Sequence, residues 1–261
     1  MEMMRIINKY IILTLVIFSI SLFSCKEETT VNNSGNPEPP LSNPYSSIHF
    51  TFYYTSYDSL SIKTTADSVE RNYSRILSDL QTDTVLKTSV HFYKTYEELA
   101  AVVRHVVPNL PTWAIGLSTA KDTIHMLSPK HSEQNYEYML IVLIHEFTHC
   151  VSLNINPAIA NNPRWLWESA ALYEAGQFVH PSQLPYMVNQ NPPTLSQMNS
   201  ISNTQIYEVG YLLSEYIVEN WSRTHLKNMI LSNGNISQVL EMTVSEFQTA
   251  WFQFVKTKYN I

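Results

Sequence analysis

The pentad His145-Glu146-Phe147-Thr148-His149 holds the residues best suited to chemistry in this chain. On an α-helix, positions four apart share a face, so both imidazoles can point at one ion. Nitrogen ligands approach zinc to about 2.0–2.1 Å. Glu146, beside the first histidine, is placed to take a proton from a water that such an ion activates. The pattern is short and the chain has nine histidines, so its surroundings decide its meaning. The preceding run, Asn135 to Ile144, is apolar on nearly every face, as in a buried helix that lines a cleft. Asparagine and proline stop it between Asn154 and Pro157.

A catalytic zinc takes three protein ligands and keeps one position open. The metzincin pattern would place Gly at 152 and His at 155. The chain has Ser152 and Ile155, which excludes it. A second helix offers a carboxylate instead. Asn162-Pro163 reads as its cap and first turn, Arg164 to Tyr173 as its body and Gly176 as its stop. Glu168 lies there among aromatic and small apolar residues, a costly setting for a charge that a bound cation would relieve. Ser169, Ala170 and Ala171 leave room for this helix to approach the histidine helix. Other readings stay open: the histidines could be hydrogen-bonded core residues, and Glu168 could pair with Arg164 one turn earlier.

HEFTH, eighteen residues and then Glu168 within Trp165-Leu-Trp-Glu-Ser-Ala-Ala-Leu-Tyr173 resembles the gluzincin zinc metallopeptidases, in particular their small peptidase-MA-like domains. The chain departs from that pattern at Ser169, where glycine is usual. The resemblance implies one zinc ion held by His145, His149 and Glu168, with Glu146 as general base. It also implies a zincin-like fold with a small mixed N-terminal sheet, an active-site helix and a mainly helical C-terminal part. A substrate peptide or protein would add to a sheet edge along the cleft, with Thr123–Leu127 as that edge. His125 on that strand would face either the cleft or the packing. Tyr207, at the start of a helix over 206–217, matches the family's oxyanion donor; Tyr211 and His225 are alternatives, and packing competes in a chain with sixteen tyrosines. No Gly-rich segment of the kind that grips a free amine precedes the histidine helix, so endopeptidase action is expected. Two further readings remain: a surface binding lipoprotein that keeps a peptidase-like fold and zinc without turnover, and a hydrolase of a non-peptide amide.

The remaining elements give an α+β order, with strands and helices first and helices after. Strands are expected over 48–54 and 88–93, and a hairpin over 113–119 and 123–127. An amphipathic helix is expected over 66–80. Thr95-Tyr-Glu-Glu98 is a capping box opening a helix that reaches His105. Thr243-Val-Ser-Glu246 opens a last one carrying Phe247, Trp251, Phe254 and Val255.

Residues 1–24 read as a signal peptide, with Arg5 and Lys9 ahead of an apolar core. Leu22-Phe23-Ser24-Cys25 resembles a bacterial lipobox, which implies lipid on Cys25 and an extracytoplasmic, outer-membrane-anchored protein. Lys26-Glu27-Glu28 resembles the export signal of Bacteroidetes surface lipoproteins. An ordinary secretory signal or a signal anchor is the alternative. Residues 25–44 have almost nothing to bury and read as a tether, leaving 45–261 as the domain. With Cys25 lipidated, Cys150 is the one remaining cysteine and packs on the buried helix; thiolate ligation is a weaker option, because it is rotated about 100° from His149. The net charge is −6 and there is no basic run, which argues against nucleic acid as a partner. A monomer is expected.

Overall fold

The computed structural model describes residues 44–131 and 135–261. The expected signal peptide, Cys25 and all but the last residue of the expected tether lie outside the described residues. Alternating apolar residues build a mixed five-stranded sheet. Its strands are β1 (Pro44–Ser46), β2 (Phe50–Tyr53), β3 (Thr88–Tyr93), β4 (Gly116–Ala120) and β5 (Thr123–Leu127), in the order β1-β2-β3-β5-β4. β2, β3 and β5 run parallel, so helices must carry the chain back between them. These are α1 (Ile62–Asp79) after β2 and α2 (Tyr96–Val103) after β3. The expected strand over 48–54 is shorter than read: Ser47 and exposed Ile48 turn the chain so that β1 pairs antiparallel with β2. α1 begins earlier than read, because Ile62 and Ala66 extend the buried stripe of Val69, Tyr73 and Ile76.

The sheet's edge corrects one expectation. β5 is flanked by β3 and β4, so Thr123–Leu127 is interior and the edge strands are β1 and, next to β5, β4. The hairpin folds its first strand outward, because β5 claims the parallel partner β3. Phe50, Phe52, Val90, Phe92, Ile124, Met126 and Gly116 share one face of the sheet by register and alternation. That face packs on α3 (Tyr136–Ile155): Phe50 meets Phe147 edge-on at 4.9 Å, and a Cβ on Gly116 would touch Val142 and Glu146. His125 points to the other face, in a row with Tyr53 and His91. Its Nδ1 lies 2.9 Å from the Tyr93 hydroxyl, so it is a packing histidine. Burial first, then His91 and His105, push its pKa down to about 3.

Asn135 caps α3 through Tyr138 N–H. The helix is apolar and long enough to cross a membrane by composition alone, yet most of its apolar stretch is buried in the core. α4 (Arg164–Glu174) follows. Its N-cap is Pro163 rather than Asn162, which lies one residue outside and bonds back to Ala158. Then come α5 (Pro185–Val188), α6 (Leu195–Met198), α7 (Ile206–Asn220), α8 (Arg223–Leu231), α9 (Ile236–Leu240) and α10 (Val244–Tyr259). Both expected capping boxes form, at Thr95 and Thr243. The small residues of α4 serve α7 as well as α3: a Cβ on Gly210 would come within 2.5 Å of Leu172 and 3.4 Å of the Ser169 Cα. Ser214 donates to Ser169 Oγ at 3.1 Å across the same contact.

Candidate metal centre

One turn of α3 separates His145 from His149, and their rings stand 4.6 Å apart at 88°. α4 crosses beside them and delivers Glu168. Its Oε2 lies 3.4 Å from His145 Nε2 and 3.9 Å from His149 Nε2. One potential ligand atom from each residue lies within 4.8 Å of the others, and all three side chains are 0% exposed. For ligand bonds of 2.0–2.1 Å, adjacent corners of a tetrahedron are about 3.3 Å apart. His145 Nε2, His149 Nε2 and both Glu168 oxygens are buried without a hydrogen-bond partner. Buried polar atoms are normally satisfied, so unpartnered atoms on three neighbouring side chains mark a candidate ligand set. This buried group could hold a metal ion.

Neighbouring side chains hold these three residues in place. Gly176, at φ +67, ends α4 in a Schellman motif: its N–H donates to Tyr173 O, and that of Gln177 to Leu172 O. The turn aims Gln177 back at the site, where its Oε1 lies 2.6 Å from His145 Nδ1. This orients the ring with Nε2 toward Glu168. His149 stacks flat on Trp167 at 3.9 Å. Sequence reasoning missed Gln177, although the Gly176 stop one residue earlier was its local signal. Cys150 is buried, donates to Ala120 O at 3.4 Å and stands outside the ligand group.

The electrostatics divide the histidines. Burial opposes a charge on His145, but Glu168, Glu146 and Gln177 outweigh it and raise its pKa. Burial, reinforced by His145, holds the pKa of His149 well below the ordinary value. Glu146 is also 0% exposed, and both its oxygens lack hydrogen-bond partners. Burial raises its pKa to about 8; His145 pulls it down, Glu168 pushes it up, and Ser118 on the edge strand β4 eases it. In the metal-free chain this favours the protonated acid at neutral pH, and a bound cation would favour the charged, proton-accepting form.

The structure separates the three candidate donors. Tyr207, at the start of α7, has a buried hydroxyl with no hydrogen-bond partner. Its pKa is well raised, by burial first and then by Glu168, with Arg164 opposing and Glu146 adding a little, so the phenol lies in the field of the site. Tyr211 packs instead on Tyr173 and Phe178. His225 is occupied at the start of α8, its Nδ1 2.8 Å from Ser222 Oγ. Arg164 forms no ion pair with Glu168 or with any other carboxylate among the described residues. Its Nη1 donates to the carbonyls of Met198, Ser200 and Asn203 at 2.9–3.0 Å.

Comparison with known proteins finds no family model, no curated protein and no solved structure that matches the chain.

Proposed function

We propose that this chain is a zinc-dependent peptidase of the gluzincin type with a zincin-like fold. The observation that carries the reading is the convergence of His145, His149 and Glu168, buried and otherwise unsatisfied, beside a buried Glu146. Zinc, when bound, would supply Lewis acidity to polarise a scissile carbonyl and acidify water. Glu146 accepts the proton of the attacking water on a carboxylate oxygen and passes it to the leaving amine. The Tyr207 hydroxyl donates a hydrogen bond to the developing oxyanion. Gln177 holds His145 in its ligating orientation. The lipobox-like segment ending at Cys25 would place this activity outside the cytoplasm on a lipid anchor.

Metal analysis of the purified chain tests the reading, with Glu168→Ala alongside. One zinc per chain, with weaker binding in the variant, is expected; unchanged affinity in the variant overturns the ligand set. The complete enclosure of His145, Glu146, His149 and Glu168 favours a second reading, a binding lipoprotein that holds metal without turnover. A hydroxamate that binds only the zinc-loaded chain supports the peptidase, because it needs a position open to ligand.

A further inference from the structure

Arg164 has chemistry that neither its helix nor the proposed reaction uses. The residue is 1% exposed, and among the described residues its charge meets no carboxylate. Three carbonyls take Nη1, while Nε and Nη2 are buried with no acceptor. Nε and Nη2 make up one edge of the guanidinium plane, with two parallel N–H bonds. That edge matches the two oxygens of a carboxylate. A buried, unspent guanidinium edge is costly unless something binds it.

Arg164 lies beside Tyr207, which stands in the field of the metal group. The guanidinium carbon lies 5.2 Å from the centre of the Tyr207 ring, and the Tyr207 hydroxyl is itself buried and unpartnered. Arg164 and Glu168 stand one turn apart on α4, so anion donors and metal ligands share one wall. Arg164 Nε and Nη2 offer unspent donors on this wall, and Glu168, with the histidines beside it, offers ligands.

Resting on the peptidase reading, we propose that Arg164 forms an anion subsite that takes the free C-terminal carboxylate of a peptide whose scissile bond lies at the metal group, leaving the neighbouring Tyr207 to the oxyanion. Substrate choice then turns on a chain end, and the chain trims C-termini rather than cutting within long segments. Bond cleavage remains ordinary hydrolysis: water adds across the C–N bond and yields a new carboxylate and a free amine.

The test uses the zinc-loaded full chain and two ligands, 2-benzylsuccinate with two carboxylates and 3-phenylpropanoate with one. Calorimetry should show the dicarboxylate binding at least about 10-fold tighter, with the advantage lost in Arg164→Gln and partly kept in Arg164→Lys. Equal affinities in the parent chain overturn the subsite without any variant having to fold. N-acylated peptides extend the test. Those with a free C-terminus should be cleaved at least about 10-fold faster than their C-terminal amides. Amides cleaved equally fast, or a preference set by an internal Asp or Glu side chain, overturn the assignment. Inorganic phosphate competing as well as the dicarboxylate also overturns it, in favour of a general oxyanion site. Zinc bound with no carboxylate preference removes only the subsite; no zinc bound removes the peptidase reading and the subsite with it.

Discussion

α4 carries two buried glutamates, and the structure treats them in opposite ways. Glu174, at the C-terminal end, is surrounded by counter-charge: Arg75 donates to its Oε2 at 2.7 Å and to its backbone carbonyl at 2.7 Å, and Arg223 reaches Oε1 at 3.3 Å. Asp79 joins the network through both arginines at 3.1 Å. Glu168, less than two turns earlier, has two imidazoles beside it and no hydrogen-bond partner for either oxygen. One cluster satisfies itself and ties the ends of α1, α4 and α8 together. The other leaves its polar atoms aimed at a common point, an arrangement that gains stability only from something added. Burial of charge alone therefore does not separate structure from function; completeness of pairing does.

The strongest way to break the contrast is at the incomplete cluster. Glu146→Gln should lower kcat/KM for peptide cleavage by roughly 10²–10⁴-fold while zinc content stays at the parental level. Steady-state kinetics beside metal analysis check it, and a variant as fast as the parent sinks the general-base role. Gln177→Leu removes the partner that orients His145 and keeps a side chain of similar bulk. Zinc affinity should fall by about 10–100-fold in a competition titration with a chelator. Arg75→Met acts on the complete cluster. Arg75 is half-exposed and Arg223 remains, so the loss of stability should be only about 1 kcal/mol in denaturant unfolding, with zinc affinity unchanged. A large drop in zinc affinity there would show that the two clusters are one.

What the sequence could reveal follows the range of the interactions. The histidine pair, the capping boxes at Thr95 and Thr243 and the stop at Gly176 are set within one or two turns, so residue spacing displays them. Strand order is not local. Nothing within 116–127 says that β5 will pair with β3 and leave β4 at the edge, because that is decided by a strand more than 20 residues away. Arg164 shows the same limit. Its i, i+4 spacing to Glu168 fits a helical ion pair, but the carbonyls at 198–203 draw the guanidinium away, and those belong to a segment more than thirty residues downstream. Gln177 needs both levels: a local turn to end α4, and the crossing of α3 to give its amide oxygen something to hold.

The smallest expected effect tests whether the complete cluster has a cost of its own. Burial first, and the charge of Asp79 next, raise the pKa of Glu174 from 4.5 to about 7, against the pull of Arg75 and Arg223. The folded chain thus binds this proton more tightly than the unfolded chain does. Its contribution to stability is fully present below pH 4.5 and is lost as pH rises through about 7. Glu146, raised to about 8, adds a decline of the same sign in the metal-free chain. A cation beside Glu146 favours its charged form and lowers that pKa, so zinc loading leaves more of the decline to Glu174. Melting temperatures of the zinc-loaded chain, followed from pH 4.5 to 7, should therefore fall less steeply in Glu174→Gln than in the parent. Parallel curves would mean that Arg75 and Arg223 fully offset the burial of Glu174, leaving the incomplete cluster as the one whose charge still lacks compensation.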